Sequence, residues 1–272
     1  MSQNEKALIF QELHLKPGVF LIPNPWDAGS ARLLAGLGFE ALATSSAAAA
    51  GVLGRRDGKM SREESLANAR VIVEATELPV AADLEHGFGD DPATAAETIR
   101  LAAEIGLVGG SIEDARPYRE KPIYDLSLAT ERIAAAVQAA RALPFPFTLA
   151  ARAENFVRGN PDLDDTIKRL VAYEKAGADV LFAPGLPDLA SVRAVCAAVS
   201  KPVNFAIGGR GRSFSVAELA EAGVKRISFA ASFYRAAMTG LLEAAQEAQT
   251  KGTFRFVNQA LLTAELNRFF PE

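Results

Sequence analysis

The sequence predicts an α/β protein, a (β/α)8 TIM-type barrel, and three observations carry that expectation. First, a helix-like segment, a glycine and an apolar run recur. The copies are Leu34-Ala-Gly36-Leu-Gly38-Phe-Glu-Ala-Leu, Ala103-Glu-Ile-Gly106-Leu-Val, Glu174-Lys-Ala-Gly177-Ala-Asp-Val-Leu-Phe and Ala220-Glu-Ala-Gly223-Val-Lys-Arg-Ile-Ser. Glycine just past a helix takes the left-handed conformation that closes it, so each copy reads as a helix-to-strand loop. Second, most candidate strands are continuous apolar runs, as expected of parallel strands covered on both faces. Third, no Gly-x-Gly-x-x-Gly follows the first strand, which disfavours an open doubly wound sheet.

In chain order the strands are predicted at Val19 to Pro23, Ala41 to Ser45, Val80 to Glu85, Gly109 to Glu113, Thr148 to Arg152, Val180 to Ala183, Val203 to Ala206 and Ile227 to Ala230. The segments between them carry helix signals. Ser61-Arg-Glu-Glu64 and Ser215-Val-Ala-Glu218 are capping boxes, in which serine accepts from the N–H three residues on and glutamate reaches back. Asp91-Pro92 is an N-cap followed by proline in the first helical position. Ile167, Leu170, Val171 and Glu174 follow helical spacing. The chain of 272 residues is expected to be one barrel domain, with 240–272 as a helical extension. Within it, Phe254 to Phe270 reads as a terminal helix with more apolar surface than one barrel needs, which suggests packing on another subunit. Two long irregular stretches, Ala47 to Met60 and Ala115 to Leu126, directly follow strand ends, where active-site covers are often found.

Three strands run from apolar residues into acid: Pro79-Val-Ala-Ala-Asp83-Leu-Glu85, Gly110-Ser-Ile-Glu113-Asp114 and Phe147-Thr-Leu-Ala-Ala-Arg152-Ala-Glu154. Burying an unpaired charge is costly, so ionised carboxylates at buried strand ends need a reason. In a barrel of this type those ends meet at one face, where catalytic groups sit. Asp83 and Glu85 are expected to share a face by the period-two alternation of a strand. Asp57 joins from the loop after strand two, Ser45 and Ser46 from the end of that strand, and Asn204 from strand seven. Carboxylates without clustered Cys or His point to a hard cation, Mg²⁺ or Mn²⁺. Mg²⁺ keeps several waters, so only one or two acids need touch it. Any single acid has a plainer reading as a strand-end cap or as an ion-pair partner of Arg55, Arg56 or Arg152. Three together repel unless something positive lies among them.

The remaining candidates point less clearly. His86 follows Glu85, but a single loop histidine is more often incidental than a ligand. Cys196 lies in a helix-like segment and reads as core. Gly208-Gly-Arg-Gly-Arg-Ser213 follows strand seven, where barrels often bind phosphate, or is simply a basic loop. No strand-end lysine suits a Schiff base, and no Gly-x-Ser-x-Gly elbow is present. The net charge of -4 gives no basic surface for nucleic acid. One cysteine fits a reducing compartment, and neither a signal segment nor a bilayer-spanning run of about 20 apolar residues is evident, so a cytoplasmic protein without membrane attachment is expected.

These motifs together resemble the phosphoenolpyruvate mutase/isocitrate lyase superfamily, and the likeness runs from Asn24-Pro-Trp26-Asp27-Ala to the end. Leu53-Gly-Arg-Arg-Asp57 is similar to the family's loop aspartate after strand two. Ala82-Asp83-Leu-Glu85-His-Gly87-Phe-Gly89 resembles its Asp-x-Asp-x-Gly-[Tyr/Phe]-Gly signature, with glutamate for the second aspartate. Ile112-Glu113-Asp114 and Ala151-Arg152-Ala-Glu154 resemble the next two motifs. The resemblance implies an α/β barrel that binds Mg²⁺ and a pyruvate-like 2-oxo acid. It also implies a homo-oligomer, a dimer or tetramer, often with an exchanged C-terminal helix. It makes Asp83 the direct metal ligand, with Asp57, Glu85 and Glu113 holding metal-bound waters. Trp26, Ser45, Ser46, Arg152 and Asn204 would bind a small anionic carboxylate, with Arg152 and Glu113 also counted among the catalytic groups.

The chain departs from the pattern in one loop. Lyases of this superfamily carry Lys-[Lys/Arg]-Cys-Gly-His after Ile-Glu-Asp, and the cysteine supplies a proton. Here the loop reads Ala115-Arg-Pro-Tyr118-Arg-Glu-Lys-Pro-Ile-Tyr-Asp125, without cysteine or histidine. It also lacks the asparagine that mutases and phosphonopyruvate hydrolases tend to place there. Tyr118 is then the candidate proton donor, with Arg116, Arg119 and Lys121 as contacts for an anion. A solvated charged lid is the simpler reading. The expectation is a Mg²⁺-dependent lyase cleaving a C–C bond of a small 2-oxo or 2-hydroxy carboxylate through an enolate. The alternatives are P–C chemistry on phosphonopyruvate-like substrates and a non-catalytic 2-oxo acid binder.

Overall fold

The computed structural model describes residues 1–116, 120–209 and 213–270. Its centre is a sheet of eight parallel strands: β1 (Phe20–Ile22), β2 (Leu42–Ala43), β3 (Val80–Asp83), β4 (Gly109–Glu113), β5 (Thr148–Arg152), β6 (Val180–Phe182), β7 (Val203–Ala206) and β8 (Arg226–Ser228). β1 pairs with β8, and every other pairing joins neighbours in sequence. Between β1 and β2 the Ala43 N–H donates to the Pro23 carbonyl at 3.0 Å, so the sheet nearly closes on itself. The fold is the expected TIM-type barrel.

The helices are α1 (Gln3–Leu15), α2 (Ala28–Gly36), α3 (Ser46–Val52), α4 (Arg62–Glu74), α5 (Pro92–Glu104), α6 (Leu126–Arg141), α7 (Leu163–Lys175), α8 (Leu189–Ala198), α9 (Val216–Glu221), α10 (Ser232–Lys251) and α11 (Thr263–Asn267). Their starts follow from local chemistry. Glu64 N–H donates to Ser61 Oγ at 3.2 Å while Ser61 N–H donates to Glu64 Oε2 at 2.9 Å. The Ser215–Glu218 box repeats this at 3.2 and 2.8 Å. The glycines that end the repeats, Gly38, Gly106, Gly177 and Gly223, all have φ between 88° and 100°, where a side chain is strained. Helix α3 buries Ala49 and Ala50 with Met60 in a cluster of its own, while α2 and helices α4 to α9 bury one stripe against the outside of the sheet, with Ile72, Ile99, Ile133, Leu170 and Val192 fully enclosed. Each such side chain contributes ~1.5–3 kcal/mol.

Helix α1 lies across the N-terminal end of the strands. Ala7, Phe10 and Leu13 are buried there in a cluster with Phe20, Ala81 and Val108. A Cβ at Gly109 would meet the Phe10 ring at 2.8 Å, so the glycine is what lets the ring lie against β4.

β1, β2 and β6 are one to three residues shorter than the sequence expectation, and three further elements differ from it in ways that shape the site or the C-terminus. β3 ends at Asp83 because Glu85 takes φ 47°, so period-two alternation does not place Glu85; a turn does. β8 begins one residue earlier than expected and ends at Ser228, before Ala230 turns to φ 46°. This brings Arg226 into the barrel. The C-terminal stretch is not one helix. α10 closes at Gly252 with φ 62°, a 3-10 turn covers Arg255–Asn258, and α11 follows. Glu265 accepts the Leu262 N–H at 2.7 Å, which starts that last helix. The Phe269 ring then packs on Gly36 of α2 in the same chain. No residue of α10 is buried.

Candidate active site at the C-terminal barrel mouth

The ends of β3 to β5 and the loop after β2 carry the acids and arginines into one cleft. Arg152, the last residue of β5, reaches three carboxylates: Asp83 at 2.9 Å, Glu113 at 3.1 Å and Glu154 at 2.7 Å. Register explains this reach, because Arg152 stands beside Glu113 on β4 and beside Phe182 on β6, whose ring lies 5.1 Å from the guanidinium carbon. The turn after β5 winds into a 3-10 helix, Asn155–Arg158, and returns a second guanidinium. Arg158 meets Glu113 at 2.9 Å and Glu154 at 3.2 Å. Arg158 was not singled out from the sequence. Its spacing of four from Glu154 was the available signal.

Five carboxylates, Asp57, Asp83, Glu85, Glu113 and Glu154, therefore crowd around two arginines. Burial pushes the Glu113 carboxyl well above the ordinary range, and Glu154 adds to this, while Arg152 and Arg158 oppose it. Burial works to lower the Arg152 pKa, but Glu154, Glu113 and Asp83 overcome it and hold the guanidinium charged. Glu85 has no direct ion-pair partner among the described residues. Burial first, then the charges of Asp83 and Asp57, push it up to about 8. At Asp57, lost hydration and the Asp83 charge both raise the carboxyl, against hydrogen bonds from Ser46 and Gly58.

The loop after β2 supplies oriented donors. Ser45 caps α3 by accepting the Ala48 N–H at 3.4 Å, and the Ser46 N–H points at Asp83 Oδ2 at 3.3 Å. Asp83 is further held by Arg152 and by the Glu85 N–H at 3.2 Å. Two adjoining clefts of about 440 and 380 Å³ share Ser46, Asp57, Arg152 and Pro184 in their walls. A larger cleft of about 680 Å³ lies at the opposite end of the strands, beside His14 and Phe147. Its arginine, Arg141, is already paired with Asp179 at 2.6 Å, so it gathers no comparable set of charges.

The other sequence candidates are placed as follows. Asn204 sits inside the barrel below the mouth, its oxygen accepting from Arg226 at 2.8 Å and its amide donating to Ser228 at 3.0 Å. Trp26 packs edge-to-face on Tyr234 at 5.5 Å, to one side of the clefts. His86 is held as a neutral ring, its pKa lowered to about 4 by burial and by Arg132. Cys196 is half-buried on α8, and burial raises its thiol to about 11. Tyr118 and Arg119 lie outside the described residues, as do 210–212 of the basic loop. The stem of the lid is described. Ala115 bridges Ile123, and Tyr124 donates to Asp90 at 2.7 Å beneath the Arg116 guanidinium. Asp114 anchors the floor of this loop, accepting from Tyr173 at 2.6 Å, from the Glu154 N–H at 2.8 Å and from Arg169 at 3.1 Å.

The donor set answers the metal expectation in part. Among the described residues no three of His, Cys, Asp or Glu stand close enough to ligate one ion directly. Mutually repelling carboxylates made only of oxygen donors do fit a hard cation that keeps most of its waters and touches one acid.

The profile of the phosphoenolpyruvate phosphomutase family matches residues 10–249. A 2-methylisocitrate lyase of Shewanella oneidensis is 32% identical over 244 residues, covering 85% of this chain and 82% of its own. The crystal structure of a lyase/mutase candidate from Burkholderia cenocepacia superposes with a TM-score of 0.97 at 55% identity, covering 99% of this chain and 97% of that one. That of a 2,3-dimethylmalate lyase does so with a TM-score of 0.86 at 27% identity, covering 97% and 94%. The carboxylate-and-arginine mouth thus stands on a barrel shared with lyases and mutases, and the chain belongs to the phosphoenolpyruvate phosphomutase family, as an enzyme of the phosphoenolpyruvate mutase/isocitrate lyase superfamily.

Proposed function

We propose that the protein is a lyase that cleaves a C–C bond of a small 2-oxo or 2-hydroxy carboxylate, with Mg²⁺ or Mn²⁺ as cofactor. The observation that carries this reading is the set of five carboxylates around Arg152 and Arg158 at the barrel mouth. Asp83 is the acid that would touch the cation, with Asp57, Glu85 and Glu113 holding its waters. When bound, such a cation supplies Lewis-acid polarisation of the substrate carbonyl. The chain's own residues do the rest. The Ser45 and Ser46 segment offers hydroxyl and N–H groups to the substrate carboxylate. Arg152, fixed by Asp83 and Glu154 before substrate arrives, faces the negative charge that develops as the bond next to the carbonyl breaks. A donor held in place in this way needs no reorganisation at that moment. The names of the lyases above support the reaction class. Tyr118 remains the candidate proton donor, and Trp26 and Asn204 the further substrate-binding candidates.

The assembly we propose is a homo-oligomer. The unburied α10 and the residues after it expose Leu241, Leu242, Phe254, Val257, Leu261 and Leu262, a surface suited to a second copy. Light scattering of the purified protein tests this; a strict monomer overturns it. No helix among the described residues is long and apolar enough to cross a membrane.

The activity test is a screen of 2-oxo and 2-hydroxy di- and tricarboxylates plus phosphonopyruvate, with and without Mg²⁺, read by mass spectrometry. Metal-dependent C–C cleavage products support the proposal. Release or rearrangement of phosphonopyruvate, with no action on any carboxylate, overturns it in favour of P–C chemistry. Oxalate binding without turnover overturns it in favour of a binder.

A further inference from the structure

Below the mouth, the barrel interior holds a cation that the proposed reaction does not use. Arg226 enters from β8 beside Asn204 of β7 and is 7% exposed. Its Nε donates to Asn204 Oδ1 at 2.8 Å. Its Nη1 lies 3.3 Å from His14 Nε2. His14 Nδ1 lies 2.8 Å from the Phe10 carbonyl oxygen, which only accepts, so the ring proton is on Nδ1 and Nε2 accepts from Arg226. Nη2 donates to no described protein atom, and Arg226 lines an interior cavity. No carboxylate pairs with Arg226 among the described residues. Burial alone pulls its pKa down to about 10, which leaves it charged in neutral solution.

A buried charge without a counter-charge is unfavourable, and arginine does not escape by losing its proton. The acceptors it does meet, Asn204 Oδ1 and His14 Nε2, are neutral, and the cavity beside it is lined by hydroxyls that can donate. The cavity, about 120 Å³, is lined by Arg226, Asn24, Thr44, Ser111, Asn204 and Ser228, and it opens toward Ser45, Asp83 and Arg152 at the mouth. Ser228 Oγ accepts from Asn204, and Thr44 Oγ1 accepts the Asp83 N–H at 3.1 Å, so each keeps a hydroxyl hydrogen to give. The one carboxylate that reaches this space, Asp83, is held by Arg152.

We propose that this cavity binds a small monovalent anion, a halide or a formate-like carboxylate, with Arg226 Nη2 supplying the charge and the lining hydroxyls supplying hydrogen bonds. The anion enters from the mouth and neutralises the barrel's internal cation, whatever reaction the mouth performs. The test is the melting temperature of the full chain titrated with chloride or with formate, with gluconate, too bulky for the cavity, holding ionic strength constant. The expected result is a saturable rise in the wild type that is lost in Arg226→Met. If that variant does not fold, diffraction from wild-type crystals soaked in bromide and, separately, in formate decides. An anomalous bromide peak or formate density beside Nη2 supports the site. Melting that is equal in all three salts, or only ordered water in both soaks, overturns it.

Discussion

At the N-terminal end of the strands the barrel is closed by α1, where Phe10 is fully enclosed and His14 lies between the rings of Phe10 and Phe20 at 4.8 and 4.9 Å. At the C-terminal end, Asp83, Glu113 and Glu154 share two arginines, and Glu85 has none of its own. The first end holds its shape by packing, and the buried Arg226 charge that reaches it meets only the neutral His14 and Asn204. The second keeps carboxylates close enough to repel one another. Packing at one end therefore secures a frame on which charge can be concentrated at the other.

Substitutions at the two ends should separate stability from turnover. The largest effect is expected for Phe10→Ala, which removes a ring from a filled floor and should lower unfolding free energy by ~3–5 kcal/mol in denaturant titration. The turnover of the molecules that remain folded should change little. A loss of turnover without a loss of stability would break the division. Arg152→Lys is the converse. It keeps the charge but not the fork that meets three carboxylates, and it should lower turnover about 10²–10³-fold while the protein stays folded. Ordinary turnover in this variant would remove Arg152 from the chemistry.

The ends should also answer pH with opposite signs in metal-free protein. Burial and the Arg226 charge lower His14 to about 3, against 6.5 in an unfolded chain. Between those values the unfolded state binds the extra proton. Stability should thus fall as pH drops below about 6.5, by about 1.4 kcal/mol per unit from this residue, and His14→Gln should flatten that slope. Glu85 is raised from 4.5 to about 8, so there the folded state binds the extra proton. Stability should fall as pH rises through that window, and Glu85→Gln should flatten it. Slopes of the same sign would contradict the contrast between the ends. The smallest effect is at the exposed start of α4, just after the loop that carries Asp57. Ser61→Ala should cost about 1 kcal/mol by leaving the Glu64 N–H without its cap.

The barrel was legible in the sequence wherever one rule governed a whole segment. The repeated glycines were visible because only a left-handed turn uses them so regularly. β4, β5 and β7 were bounded correctly because their apolar runs stop where the strands stop. β8 was placed one residue late because Lys225-Arg226 reads as a polar loop, and nothing local says that an arginine will be housed inside a barrel. Glu85 was assigned to a strand because its left-handed φ has no glycine to announce it. At the site, the convergence of Asp83, Glu113 and Arg152 followed from strand order, whereas Glu85 arrives by the turn after β3. Pairing with Arg152 was open as the plainer reading of any single acid, but how many acids one arginine holds depends on side-chain reach across strands. Arg158 was missed for that reason, and so was the degree to which Arg152 already holds Glu113.

The acids at the mouth are proposed to serve a cation and, through it, the reaction. The most direct measurement is Mn²⁺ binding by electron paramagnetic resonance, paired with turnover, for the wild type and Asp83→Ala. The variant should fold normally and lose both tight Mn²⁺ binding and activity. A variant that binds Mn²⁺ and turns over substrate as the wild type does would contradict the proposal.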